Sequence, residues 1–197
     1  MAFEYAIALT GSISTGKSTV LKYFREWGFH SIDADHVSHE ILEQQSNAIA
    51  DMFGNALIVE EKVDRKALGK IVFEDVAKRK MLEDLLHPLI YNEIEARAKK
   101  KDLLKQSYLV DIPLFFEGGR YPIERSLVVY ATQAQQLERL IAREGYTREE
   151  ALARINTQIS VEEKRKMASY VIDNSGTLTQ LKQECERVKE EILRESN

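Results

Sequence analysis

The chain has 197 residues, 44% hydrophobic and 30% charged, with a net charge of −4. That composition is ordinary for a soluble globular protein with one substantial core, and it gives no global reason to expect nucleic-acid binding. The single cysteine, Cys185, excludes an internal disulfide framework and a cysteine-based zinc site, and no apolar run approaches the roughly 20 residues needed to span a bilayer. The start, Met1-Ala-Phe-Glu-Tyr5, has no targeting pattern, so a cytoplasmic protein without a membrane partner is expected.

The first predicted strand is about Tyr5–Leu9. It runs into Gly11-Ser12-Ile13-Ser14-Thr15-Gly16-Lys17-Ser18, and Thr19 opens an amphipathic stretch to Trp27. Strand, glycine-bounded loop and helix together make a phosphate-gripping loop: backbone N–H groups and the helix N-terminus bind phosphate oxygens. Lys17 would reach the β- and γ-phosphates, and the Ser18 hydroxyl would ligate Mg²⁺. The alternative is a glycine turn before an ordinary helix.

Gly28 ends that helix, and His30–Asp33 reads as a short second strand. From Ala34 to Lys101 the sequence is mostly helical, with packing faces that include Ile41, Leu42, Ile49, Leu68, Ile71 and Leu85. This insertion is too long for a simple crossover. It reads as a helical lobe that holds a second substrate, or else as a cover for the sheet. Ser107–Asp111 and Ser126–Tyr130 are the third and fourth strands, and Tyr170–Asp173 is the fifth. Between the last two, Gln133–Ala168 is helical. Gly145 ends one helix, and Thr147…Glu150 and Ser160…Glu163 have the spacing of capping boxes, as does Thr177…Gln180 before the last helix. Strands alternating with helices predict an α/β fold with a mainly parallel sheet.

Phosphoryl transfer also needs a group to orient the acceptor and cations to spread charge. Asp33 and Asp35 follow the second strand, at the sheet edge where ligands bind in open α/β folds. Asp35 is the favoured base for a substrate hydroxyl; the competing reading is that it only caps the next helix. Asp111 ends an apolar strand, a position that supports Mg²⁺ in many phosphate-loop proteins. Pro113, Leu114 and the two aromatics after it could wall a substrate pocket or join the core. Arg139 and Arg143 share a helical face and could neutralise the transferred phosphoryl group, or pair with Glu138 and Glu144 at the surface. Arg154, Gln158, Lys164 and Arg165 extend this polar character; each by itself reads as a solvated residue, while as a group in a suspected lid they point to function. In His87-Pro88 the proline fits the first turn of a helix, and His87 is either structural or a substrate contact.

Together these residues resemble the dephospho-coenzyme A kinase family nearly end to end. The resemblance rests on the phosphate loop, Ile32-Asp-Ala-Asp35, Leu85-Leu-His-Pro-Leu-Ile90, Pro113-Leu-Phe-Phe-Glu117, Arg139 with Arg143, Arg154 with Gln158, and Val171-Ile-Asp-Asn174. It implies a three-layer P-loop kinase fold with a five-stranded parallel sheet, a helical CoA-binding lobe and a lid. The corresponding segments are a core of about 1–33, 106–132 and 169–197, a lobe of about 34–105 and a lid of about 133–168. It also implies transfer of the ATP γ-phosphate to the 3′-hydroxyl of dephospho-CoA, with Mg²⁺, by a monomer. Asp35 would be the base with Asp33 beside it, Arg139 and Arg143 the lid arginines, His87 and Pro88 part of the acceptor surface, and Asn174 part of the adenine pocket. Three departures stand out. Ser12 and Ser14 replace glycines, Thr15 replaces serine, and Ala168-Ser169 replaces the Ala-Asp often found before the last strand.

Overall fold

The computed structural model describes residues 2–195. The outer ends of the expected core segments, Met1 and Ser196–Asn197, lie outside the described residues. Backbone contacts divide the chain into two compact units, Met1–Ile32 with Ala98–Asn197, and Asp33–Arg97.

The first unit is built on a parallel sheet of five strands in the order β2 (Ser31–Asp33), β5 (Tyr108–Asp111), β1 (Ala6–Gly11), β6 (Arg125–Tyr130) and β7 (Tyr170–Asp173). All six residues of the central strand β1 are buried, which is why it reads as a continuous apolar run rather than an alternating one. Its register places Ala8 opposite Val110 of β5 and Ser126 of β6. Helices α1 (Lys17–Glu26) and α10 (Leu178–Glu195) close one core, in which Val20, Leu21 and Phe24 meet Leu181, Cys185, Val188 and Ile192 over Ile7, Leu9, Leu127 and Ile172. A separate cluster joins α7 (Gln133–Glu144) to α8 (Arg148–Ile155) through Leu137, Leu140, Ala151 and Ile155, with Ile13 of the loop packed against it. The short α6 (Phe115–Gly118) follows β5, and α9 (Val161–Met167) leads into β7.

Capping fixes these helix boundaries. The Thr147 and Glu150 pair forms a complete box at the start of α8, and Gly145 ends α7 at φ 72°. A further box, Thr132 with Gln135, starts α7.

The second unit contains α2 (Ala34–Gln44), α3 (Ser46–Phe53), a 3₁₀ turn at Asn55–Leu57, a hairpin of β3 (Ile58–Val59) and β4 (Lys62–Val63), α4 (Arg65–Glu74) and most of α5 (Val76–Asp102). The hairpin is the exception in a stretch whose sequence reads as mostly helical. Its two turn residues, Glu60 and Glu61, both have positive φ, 49° and 63°, a conformation in which Asn-Gly is the usual signal. One correction concerns Pro88. It lies inside the continuous helix α5 rather than at the start of a new one. Its ring lacks the N–H that would reach the Asp84 carbonyl, so the helix carries one missing bond there.

Candidate active site

The phosphate loop joins the carboxyl end of β1 to the amino end of α1. Gly11 and Gly16 are both demanded by space, and Gly16 by conformation too, at φ 95°. A Cβ on Gly11 would meet Thr15 Oγ1 at 2.6 Å, and one on Gly16 would meet Asn174 Nδ2 at 2.2 Å. Gly16 is the N-cap of α1 in the left-handed region, and no side chain caps that helix. The Thr19 N–H donates to Gly16 O at 3.0 Å, and the Lys17 and Ser18 amides ahead of it are left for an anion.

Inside the loop, Thr15 Oγ1 donates to Ser12 O at 2.9 Å, and Asn174 Nδ2 donates to Thr15 O at 2.8 Å. Ser14 adopts φ 58°, and its hydroxyl is buried with no hydrogen-bond partner among the described residues. Serine where glycine is usual is therefore strained at 14. At Ser12 it is not, since that residue is absent from the positive-φ set and its hydroxyl donates to Ile159 O at 3.4 Å.

Lys17 pairs with Asp111, the last residue of β5. Lysine and carboxylate are both largely buried, and the pair ties the loop to the next strand. Thr10 Oγ1 donates to Pro113 O at 2.9 Å, which fixes the segment after β5 to the end of β1. Leu114, the next residue, is 48% exposed and so is not core.

The two arginines on α7 have different surroundings. Arg139 Nη2 donates to Asn174 O at 2.9 Å, while its Nη1 is buried without a partner among the described residues. Arg143 is exposed and pairs through Nε with Glu144 at 2.7 Å. Asn174, Thr15, Gly16 and Arg139 are thus brought together.

Asp33 and Asp35 also differ in their surroundings. Asp33 caps α2, its Oδ1 accepting from the His36 N–H at 2.9 Å. Asp35 stands in the first turn of α2, exposed. The cap offered to Asp35 in the sequence is made by its neighbour. His87 is half-buried and Pro88 exposed on α5.

One finding overturns the sequence reading around this site. Lys164 is not a solvated residue: its side chain has no exposed surface, and it pairs with Glu117 at 2.8 Å. The signal was present in the spacing, since Lys164 sits one helical turn after the buried Val161, but it is hidden by the charged run Glu162–Lys166. Ser169, in turn, is at the amino end of β7. Its Oγ accepts from Ser126 N at 3.1 Å, and its N–H donates to Ser126 Oγ at 3.4 Å. That is the amino end of the strands, away from the phosphate loop. Of the other polar residues, Gln158 Oε1 accepts from Ile13 N at 3.0 Å, and the Arg154 and Arg165 guanidiniums stack over the Tyr146 and Tyr130 rings at 4.4 and 4.7 Å.

With this geometry in hand, comparison with known proteins is decisive. The sequence profile of the dephospho-CoA kinase family matches residues 5–180. The chain belongs to the dephospho-CoA kinase family. A dephospho-CoA kinase of Sulfurimonas denitrificans is 50% identical over 192 residues, covering 98% of this chain and 96% of the relative. One from Helicobacter pylori is 42% identical over 196 residues, 98% of this chain and all of the relative. The solved dephospho-CoA kinase from Campylobacter jejuni superposes with a TM-score of 0.74 at 34% identity, covering 95% of this chain and 97% of that one. The chain is accordingly an ATP-dependent phosphotransferase with an alcohol acceptor, a dephospho-CoA kinase on a P-loop kinase fold.

Proposed function

We propose that the γ-phosphate of ATP is transferred to the 3′-hydroxyl of dephospho-CoA, with the Gly11–Thr19 loop and the arginines of α7 acting on the phosphates and Asp35 acting on the acceptor. The observation that carries this reading is the start of α1: its first-turn amides have no capping side chain, and Lys17 stands there paired with Asp111. A helix N-terminus with free amides and a lysine suits the β- and γ-phosphates.

Asp35 accepts the acceptor hydroxyl proton as that oxygen bonds to the γ-phosphorus. The bond to the β-phosphate oxygen breaks, and ADP leaves with the electron pair. Lys17, Arg139 and Arg143 carry the charge that spreads over the transferred group. Asp33 holds α2 so that Asp35 is presented in its first turn. Asn174 stands on the adenine side, and His87, Pro88 and Leu114 on the acceptor side. The 33–97 unit is the acceptor lobe and 133–168 the lid, and the protein works as a cytoplasmic monomer that needs neither nucleic acid nor membrane.

The donor set suits Mg²⁺. The Ser18 hydroxyl and the Asp111 carboxylate are hard oxygen ligands, and such sites bind this ion through one or two protein groups plus substrate phosphates. Bound there, it would neutralise charge on the phosphate oxygens.

The test is a pair of substitutions. Lys17→Ala and Asp35→Asn are each expected to lower kcat by on the order of 10²–10⁴. Near-normal turnover in Asp35→Asn would remove the base assignment. Unchanged kinetics in Arg143→Ala would return that residue to the surface pairing it makes with Glu144.

A further inference from the structure

Lys164 is the one lysine among the largest fully buried side chains of the described residues. Its ammonium has two partners, the Glu117 carboxylate at 2.8 Å and the carbonyl of Gly11 at 3.2 Å. The same carboxylate oxygen of Glu117 accepts the Ile159 N–H at 3.1 Å, while its other oxygen is buried without a partner. Two more bonds run in parallel: Ser12 Oγ donates to Ile159 O at 3.4 Å, and Ile13 N donates to Gln158 Oε1 at 3.0 Å. The short connector between α8 and α9 is thereby laced to the first three residues of the phosphate loop.

A buried ion pair is a poor device for stability alone, because an apolar pair of similar size does as well or better. What this pair does fix is orientation. A trans peptide is planar, so holding the Gly11 carbonyl sets the plane of the Gly11–Ser12 peptide with which the loop begins. Slack is scarce there, since Val129 O lies 3.0 Å from where a Cβ on Gly11 would stand. On the far side, Glu117 follows β5, whose Asp111 holds Lys17.

We infer that Lys164, through Glu117, is a positioning residue for phosphoryl transfer: it locks the start of the phosphate loop and the 158–160 connector into one register, so that ATP binding and the placement of α8 are coupled. This rests on the loop being the ATP site.

The test separates position from stability. Lys164→Met alone leaves the Glu117 carboxylate buried and unpaired, so it is compared with Lys164→Met/Glu117→Gln, in which neither charge remains. Melting temperature, ATP affinity by calorimetry, and KM for ATP and for dephospho-CoA are measured for each. The double variant is expected to melt within about 5 °C of the wild type, yet to bind ATP at least about tenfold more weakly with a similar loss in kcat/KM for ATP. Recovery of ATP affinity together with melting temperature would overturn the inference, as would ATP parameters that never change. If the methionine variants do not fold, Glu117→Gln alone is read by the same measurements, and normal ATP affinity in it counts against the inference. Failure of the wild-type protein to bind ATP would instead remove the reading of the loop itself, and this inference with it.

Discussion

At the scale of the residue, two carboxylates two positions apart have different surroundings. Asp33 accepts a backbone N–H at the start of α2, and Asp35 makes no such bond. Asp33→Ala is therefore expected to cost about 1 kcal/mol of stability through the lost cap. Asp35→Ala is expected to melt like the wild type and lose turnover. Equal melting temperatures for the two, measured by calorimetry, would contradict this division. Ser14 supplies a second prediction. Its positive φ and its buried, unpartnered hydroxyl both strain the nucleotide-free loop. Ser14→Gly relieves both, against some added chain entropy, for a net gain of about 1 kcal/mol. A urea titration that shows a loss instead would mean the hydroxyl is satisfied in solution.

At the scale of the element, the strands and helices of the first unit were legible because each announces itself locally. The strands are short valine- and leucine-rich runs, and α8 begins with a threonine and a glutamate three apart. The phosphate loop was legible because its chemistry requires particular residues at particular spacing. What the sequence hid depends on tertiary context. The β3–β4 hairpin turns on two glutamates where Asn-Gly would be the sign, and the Val63 N–H that helps hold it bonds Glu43 at 3.0 Å, twenty residues away. Lys164 is buried only because Glu117, 47 positions earlier, comes to meet it. Pro88 was misplaced for the opposite reason: a local rule for proline at helix starts was overridden by a helix of 27 residues. Restoring the missing bond with Pro88→Ala is expected to stabilise the protein by about 1–3 kcal/mol. If His87-Pro88 forms part of the acceptor surface, the same change raises KM for dephospho-CoA, and a stability gain with unchanged KM would take the dipeptide off that surface.

At the scale of the whole molecule, the core holds several protons tightly. Burial, aided by Glu184 and Glu186, pushes the Cys185 thiol from an ordinary 9.0 up to about 12. Burial and the hydrogen bond to Glu195 push Tyr170 from 10.0 up to about 12, and burial raises Tyr108 as well. In each case the unfolded chain loses its proton first as pH rises, so the folded state binds more protons and stability falls with pH. These contributions are complete below about pH 9 and are lost progressively towards pH 12. Denaturant midpoints across this range are expected to drop steadily, and a flat profile from pH 9 to 12 would contradict the tight burial of these groups. The same burial predicts that Cys185 resists thiol reagents until the protein unfolds.

Together these parts serve the transfer of phosphate from ATP to one acceptor. The most direct measurement is ADP release with ATP, Mg²⁺ and dephospho-CoA, run beside nucleoside, nucleotide and acceptor-free controls, with coenzyme A identified by mass. ADP and coenzyme A are expected in equal amounts, and ADP with dephospho-CoA alone. Rapid ADP release with another acceptor, or with none, would contradict this.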